Sequence, residues 1–230
     1  MTPSPGPRAG EHGFTIEELL AATAFPHQVA ELRLKETHLS WIVLTGRYAY
    51  KIKKAVRFEF IDASTLERRR FLCQEELRLN RRFAPELYVD VLPISREAER
   101  LKVGGAGEPV EYAVRMHEFD ESQELGSRLD RGAVSADDLQ AFGARLADAH
   151  LRAAVTEAGS SFGTIGAVRQ PMLDNFTLLR QHLRSLRQQQ LIERLEEWTR
   201  RSLTRLEPLF ESRRQSGMVR ECHGDLHARN

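Results

Sequence analysis

The eight residues from His223 to Asn230 restrict the possible folds of this chain more than any other stretch. An acid, Asp225, follows His223 by two residues and precedes an amide, Asn230, by five. Phosphoryl transfer from a nucleotide uses such a pair, because a carboxylate accepts the proton of the attacking hydroxyl and a nearby oxygen ligand holds Mg²⁺. On one short loop, Asp225 can face an acceptor while Asn230 faces the metal. The preceding residues, Met218–Cys222, predict a short strand that leads into this loop.

Two other interpretations of the same stretch remain open. His223, Asp225 and His227 alternate, so a strand would place them on one face, where they could ligate zinc. A further ligand from elsewhere would then be needed, and Asn230 would have no role. The second alternative is a polar loop without any chemistry.

Two runs rich in aromatic and β-branched residues, 39–45 and 48–54, predict a β-hairpin. In the second run, Ala49 and Lys51 share a face, because side chains alternate along a strand. This pair suits a nucleotide site, since a small residue admits adenine and a lysine holds the phosphates. Lys51 is preferred to Lys53 because its spacing from Ala49 matches that pattern. A strand edge decorated with lysines against aggregation explains the same residues.

A long helix is predicted to begin at Ser64, which forms a capping box with Glu67. Glu76 lies near the middle of its apolar side. Because an unpaired buried carboxylate is costly, we expect Glu76 to have a cationic partner. In a kinase that partner is the strand lysine, here Lys51, and Glu75 is the alternative acid. Glu76 reaching solvent, or pairing with an arginine of its own helix, is the other interpretation.

The rest of the chain gives strand patterns first and helix patterns later, which predicts an α+β fold. The remaining strands are predicted over 87–94 and 109–116. A helix over 14–24 is predicted to begin with a capping box of Thr15 and Glu18, and a second helix is predicted to be capped by Ser135 with Asp138. Two more helices are predicted over 174–187 and 189–213. The apolar stripes of the last three helices are predicted to be buried: Leu139, Phe142, Leu146, Ala149 and Ala153; Phe176, Leu179, Leu183 and Leu186; Leu191, Leu195, Trp198 and Leu206.

Composition limits the partners of the chain. Its 34 Lys and Arg residues and 33 Asp and Glu residues give a formal net charge of +1, so we expect neither nucleic acid nor a membrane as a partner. Only Cys73 and Cys222 occur, too few for a disulfide framework, and both are predicted to be buried thiols. Residues 1–13 are rich in Pro and Gly, which predicts disorder rather than a signal peptide. A cytoplasmic protein is therefore expected.

The motif His-Gly-Asp-Leu-His-x-x-Asn at residues 223–230 resembles the catalytic loop of the aminoglycoside phosphotransferase and choline kinase branch of the protein-kinase-like fold. The resemblance covers about residues 36–230. It implies two lobes, a small antiparallel sheet with one helix and a mostly helical, incomplete large lobe. The expected divisions are a small nucleotide-binding lobe with an N-terminal helix (14–116), a hinge (117–119) and the large lobe (120–230).

The resemblance implies an ATP- and Mg²⁺-dependent transfer of the γ-phosphoryl group to a hydroxyl of a small molecule. Asp225 is the expected base and Asn230 the expected metal ligand. His223 should shape the loop, and His227 should position the loop or approach the acceptor. Six residues are expected to bind ATP: Lys51, its brace Glu76, Ala49, Met116, Phe119 and Ser40.

Two departures from the family pattern bear on catalysis. Its glycine-rich phosphate loop is replaced by the segment 35–38, where Thr37 and the nearby Ser40 are the candidate hydroxyls. A kinase also needs a second metal-binding acid downstream of Asn230, so residues 1–230 alone are expected to be inactive. The first half resembles a bacterial subgroup in which a C-terminal P-loop ATPase domain follows. The alternative function is a non-catalytic nucleotide-binding pseudokinase module within a longer protein.

Overall fold

The computed structural model describes residues 13–58 and 61–228, which have a mixed α+β fold. The chain divides into two compact units. The first unit runs to Leu139 and includes the residues from Asp225 onward, and the second unit is Gln140–Gly224. Within the described ranges, no helix has both the length and the apolar character needed to cross a membrane.

A six-stranded antiparallel sheet dominates the described part of the first unit. The described strands, including those of a separate two-stranded ribbon, are β1 (Arg33–Glu36), β2 (Ser40–Leu44), β3 (Tyr48–Lys53), β4 (Arg57–Phe58), β5 (Ile61–Asp62), β6 (Tyr88–Glu97), β7 (Arg100–Val103) and β8 (Pro109–His117). Across the sheet their order is β1-β2-β3-β8-β6-β7, and β4 pairs with β5 separately. The predicted hairpin is confirmed as β2 and β3, and the two later predicted strands as β6 and β8.

Strands β1 and β7 were missed by the sequence patterns. Each is an edge strand of the sheet, and each is short and rich in charged residues instead of aromatic and β-branched ones. Their extended conformation comes from backbone hydrogen bonds to β2 and β6. Strand propensity depends on such neighbours more than on the residues themselves, so a local pattern gives little signal at an edge.

The N-terminal segment packs as two short 3₁₀ turns, Ile16–Leu19 and Ala22–Ala24, so the predicted helix is wrong in type. The predicted capping box is present, because the Glu18 carboxylate accepts from the Thr15 N–H at 2.8 Å. The path of this segment is determined by the burial of its apolar side chains against the sheet rather than by helical periodicity. The disorder predicted for residues 1–13 lies almost entirely outside the described residues. The core contains apolar residues of this segment and of the sheet: Phe14, Ile16, Leu19, Phe25, Val43, Tyr50, Ile52, Ile94 and Leu101.

Helix α1 (Leu66–Asn80) follows the β4–β5 ribbon. Its N-cap is Thr65, whose hydroxyl accepts from the Arg68 N–H at 3.3 Å. The predicted capping box at Ser64 is therefore wrong. The Ser64 hydroxyl donates instead to the Asp62 carboxylate at 2.6 Å, which draws this serine back towards the ribbon and leaves the cap to the next residue.

His27 is half-buried and packs against Tyr48 and Tyr50 in an aromatic cluster of the first unit. Its Nε2 lies 3.0 Å from the Thr45 hydroxyl and its Nδ1 lies 3.1 Å from the Tyr50 hydroxyl. The Thr45 hydroxyl donates to a backbone carbonyl, so the ring donates from Nε2 and accepts at Nδ1. Burial, together with the charges of Arg47 and Arg115, lowers the pKa of His27 below its ordinary value.

This arrangement predicts that acid weakens the first unit through His27. The pKa of His27 in the folded state lies below its unfolded value of about 6.5, so the folded state binds fewer protons. The free energy of unfolding therefore decreases as the pH falls below about 6.5 towards the folded pKa. We expect His27→Gln to reduce the dependence of the urea midpoint on pH between 7.5 and 5.5. Trp41 fluorescence in a Trp198→Phe background reports on the first unit alone. Equal pH dependence in both proteins would contradict this role.

Four helices follow β8 in the described chain: α2 (Leu125–Asp130), α3 (Ala136–Arg152), α4 (Ile165–His182) and α5 (Leu186–Gln215). The predicted cap of α3 is confirmed, since Ser135 and Asp138 exchange side chain to backbone hydrogen bonds of 3.0 and 3.1 Å. Helix α4 begins nine residues before its predicted start of 174, with Thr164 as N-cap and Pro171 in its first two turns. Pro171 lies in the second turn, where its nitrogen cannot donate the helical hydrogen bond, and α4 nevertheless continues through it to His182.

The predicted burial of the helix stripes is largely wrong. In α5 the buried residues are Ile192, Thr199 and Leu203. They lie about one residue, or roughly 100° of rotation, from the predicted stripe. Periodicity identifies an apolar face, but which face is buried depends on where the neighbouring helix lies. Of the predicted stripes, Ala153 and Phe176 are buried, and the exposed members are Leu139, Phe142, Leu179, Leu186, Leu191, Leu195 and Trp198.

The strand predicted at Met218–Cys222 is absent from the described structure. Arg220 forms a single isolated bridge with Val155, and its guanidinium donates to the carbonyls of Leu151 and Ala153 at the C-terminal end of α3. A strand needs an extended neighbour along its length, and here the pairing stops after one residue. Cys222 is consequently exposed, contrary to the prediction, whereas Cys73 of α1 is buried as predicted.

Candidate active site

One face of β3 contains three predicted or possible ligand-binding residues in a row, Ala49, Lys51 and Lys53. Alternation along the strand puts them on the same side. In the sheet register, Ala49 lies between Leu44 and Met116 of the neighbouring strands. The structure therefore brings the small residue, the lysine and the end of β8 together on one surface.

A cavity of about 500 Å³ lies at the Ala49 end of this face and is formed within the first unit. Its size falls within the usual range for small-molecule sites. The predicted residues Ala49, Met116 and Phe119 all line it. Its lining combines apolar side chains, including Ile42 and Leu44, with charged ones: Arg33, Lys35, Glu118, Asp120, Glu121 and Glu124.

The carboxylate of Glu76 joins α1 to the lysines of β3. Its Oε1 accepts from Lys51 Nζ at 2.8 Å, and its Oε2 accepts from Lys53 Nζ. Burial alone would raise the pKa of Glu76, but the charges of the two lysines outweigh it and hold this pKa below its ordinary value. Glu75 pairs instead with Arg78, at 2.8 Å. The prediction that Glu76, not Glu75, contacts Lys51 is confirmed.

The end of β1 and its turn to β2 contain the segment 35–38, where the family resemblance predicts a phosphate loop. The Thr37 hydroxyl accepts from the N–H groups of Leu39 and Ser40, and the Thr37 N–H donates to the Ser40 carbonyl at 2.8 Å. The Lys54 ammonium stabilises the turn by donating to the Thr37 carbonyl at 2.7 Å. Thr37 and these amides are thus engaged within the turn. The Ser40 hydroxyl is buried and has no hydrogen-bond partner among the described residues.

Glu118, in the predicted hinge, has an anchoring role that no sequence pattern indicated. Its carboxylate accepts from the N–H groups of Thr45 and Gly46 at 3.0 and 2.8 Å, and it pairs with Arg33 at 2.7 Å. These contacts tie the end of β8 to the β2–β3 turn at the cavity rim. The partners lie 72 to 85 residues away in the sequence, so no local pattern indicated them.

The candidate catalytic loop presents an open carboxylate. The Asp225 side chain is 84% exposed, and its Oδ2 lies 3.9 Å from His227 Nε2. The Ala228 carbonyl accepts from the Gly126 N–H at 2.7 Å, which attaches this loop to the start of α2. His223 belongs to the second unit and is half-buried.

The metal predictions depend on residues at the end of the chain. Asn230, the predicted metal ligand, lies outside the described residues. Within the described part of the chain, no group of three His, Cys, Asp or Glu side chains is arranged to hold a metal ion. The zinc interpretation of His223, Asp225 and His227 therefore has no geometric support.

Comparison with known proteins gives relatives but no function. The uncharacterized protein Rv2004c of Mycobacterium tuberculosis is 32% identical over 193 residues, which is 84% of this chain and 37% of that protein. The uncharacterized protein Mb2027c of Mycobacterium bovis matches with the same identity and coverage. The chain thus spans little more than a third of the curated relatives it matches. No known protein family and no solved structure matches the chain.

Proposed function

We propose that this chain belongs to an ATP-dependent phosphotransferase of the aminoglycoside phosphotransferase and choline kinase type, which phosphorylates a hydroxyl of a small molecule. The observation that supports it most directly is the Lys51–Glu76 ion pair, because Lys51 shares a face of β3 with Ala49, which lines the cavity. A kinase needs this pair to orient the nucleotide phosphates. The α+β fold of the first unit, with one helix inserted after the third strand of the sheet, agrees with a small lobe of that type.

In this proposal the adenine ring occupies the cavity beside Ala49, Met116 and Phe119. The phosphates extend along β3 towards Lys51, whose Cα lies about 7 Å from the Cα of Ala49 along the strand. Glu76 holds the lysine in position from α1. The Glu118 contacts with the β2–β3 turn keep the cavity rim rigid, so adenine binding requires little rearrangement.

The loop at Asp225 supplies the chemistry in this proposal. The Asp225 carboxylate is exposed and can accept the proton of an incoming hydroxyl. Mg²⁺ prefers oxygen ligands together with substrate phosphates, so the amide oxygen of Asn230 would hold the metal in this proposal. When bound, the metal neutralises charge on the transferred phosphoryl group. His227 is close enough to Asp225 to influence its orientation.

The complete protein is proposed to contain a second nucleotide-binding domain. The matched segment is 37% of each curated relative, which leaves room for a further domain in those proteins. A P-loop ATPase domain following the phosphotransferase domain is the expected arrangement. Any nucleotide-binding experiment must therefore distinguish two sites.

The proposal predicts that Lys51→Met in the complete protein weakens ADP binding at least about 30-fold, because the phosphates lose their cation and Glu76 loses a partner. The matched control is Lys102→Met, which removes the same charge from β7 on the opposite half of the sheet. Binding is measured by calorimetry, with the phosphate-loop lysine of any P-loop domain replaced in every sample. Equal affinities for both variants would contradict the proposed site. ADP binding in a protein that transfers no phosphoryl group from ATP to any acceptor would favour the pseudokinase alternative.

A further inference from the structure

Two lysines share one carboxylate at the candidate phosphate site. Lys51 and Lys53 contact different oxygens of Glu76, and these are the only ion pairs of either lysine among the described residues. The three side chains are 28%, 11% and 10% exposed, respectively. The cluster therefore has a net charge of +1 in a partly buried position.

A purely structural role for this cluster would need only one lysine. A single Lys–Glu pair is neutral, whereas a second ammonium adds an uncompensated charge that partial burial disfavours. An anion bound at the open side of the cluster would compensate it. Lys51 is the more exposed of the two lysines, so the anion approaches Lys51 and not Lys53.

The turn at the phosphate-loop position increases the need for this charge. Its amides at Leu39 and Ser40 already donate to the Thr37 hydroxyl, and the Thr37 amide donates to a carbonyl. In kinases, amides of a glycine-rich loop at this position cover the phosphates. Here that attraction must come from side chains on the β3 face.

We propose that Lys53 is a positioning residue that acts through Glu76 and makes the phosphate clamp cationic. By neutralising Glu76, it leaves the full charge of Lys51 available to the phosphates of a nucleotide. It also keeps Glu76 paired when Lys51 turns towards the ligand. The inference rests on the proposed function, because it assigns Lys53 to the same nucleotide site.

The test compares two ligands that differ only in phosphate. ADP and adenosine are titrated into the complete protein as wild type, Lys53→Met, Lys53→Gln and Lys53→Arg, with any P-loop lysine replaced throughout. Lys53→Gln keeps a hydrogen-bond donor for Glu76 without the charge, and it replaces Lys53→Met if that variant does not fold. Lys102→Met again controls for net charge.

We expect the uncharged variants to bind ADP about tenfold more weakly, as removal of one nearby charge implies, and to bind adenosine within a factor of about two of wild type. Lys53→Arg should restore ADP affinity. The ADP affinity of wild type should also depend more steeply on salt concentration than that of Lys53→Gln.

If Lys53 had a purely structural role, its replacement would lower the affinities for ADP and for adenosine equally. That outcome would overturn the inference. Unchanged ADP affinity in Lys53→Gln would overturn it as well. If Lys51→Met abolishes ADP binding while the Lys53 variants bind normally, only this inference fails. If the wild type binds neither ADP nor adenosine, the proposed function fails with it.

Discussion

Replacement of Asp225 by Asn is expected to lower phosphoryl transfer about a thousandfold, within the range for loss of a general base, while nucleotide affinity changes little. The asparagine side chain has the same size but cannot accept a proton. Because the Asp225 side chain is 84% exposed, the change should not disturb packing. Loss of rate without loss of stability would support a direct role in the reaction.

The experiment needs an acceptor and a matched control. Release of ADP is followed in the complete protein with a panel of hydroxyl-containing metabolites, and the most active compound is used to compare variants. Asp130→Asn, at the exposed end of α2, removes an equivalent charge away from the loop motif. A wild-type rate in Asp225→Asn would exclude this residue as the base. If no compound is phosphorylated by a wild type that binds ADP, the pseudokinase function is favoured.

The second large effect is expected in the folding of the first unit. Arg69 of α1 and Glu111 of β8 form an ion pair of 2.7 Å, with side chains only 2% and 0% exposed. Arg69 also donates to the carbonyls of Ala63 and Ser64, and Glu111 accepts from the Tyr112 N–H. Arg69→Met leaves a buried carboxylate without its cation, so we expect the free energy of unfolding to fall by about 3–5 kcal/mol.

A double variant separates the pair from general packing effects. Arg69→Met combined with Glu111→Gln should recover part of the loss, because no unpaired charge then remains buried. The control is Arg70→Met, since Arg70 is exposed and stacks on Tyr112 at 5.4 Å, an interaction worth about 0.5–1 kcal/mol at such sites. Urea unfolding is followed by Trp41 fluorescence in the Trp198→Phe background. Similar losses for Arg69→Met and Arg70→Met would contradict the role of the buried pair.

Prediction from sequence succeeded where one short segment contains both the pattern and its cause. The β2–β3 hairpin followed from alternation around Gly46, and the cap of α3 followed from residues three apart. The Lys51–Glu76 contact combined strand alternation, helix periodicity and the cost of an unpaired carboxylate, with the family resemblance suggesting the partner. The first two signals lie within a few residues, whereas the third joins residues 25 apart.

The same reasoning did not identify the second lysine or the cavity rim. Strand alternation already put Lys53 beside Lys51, but its contact with Glu76 depends on how far α1 lies from the sheet. Arg33 was missed because its strand is ordered by pairing with β2. Glu118 was assigned only to the hinge, because its turn partners are remote in sequence.

The sequence alone determined which residue types alternate, where most helices and strands lie and which acid needed a cation. The tertiary structure decided which helix face is buried, as the offset between Leu191 and Ile192 in α5 shows. It also decided that residues 218–222 do not form a strand and that Ser64 does not cap α1. The physical reason is that local periodicity arises from backbone geometry, whereas burial and ion pairing depend on contacts between segments that are distant along the chain.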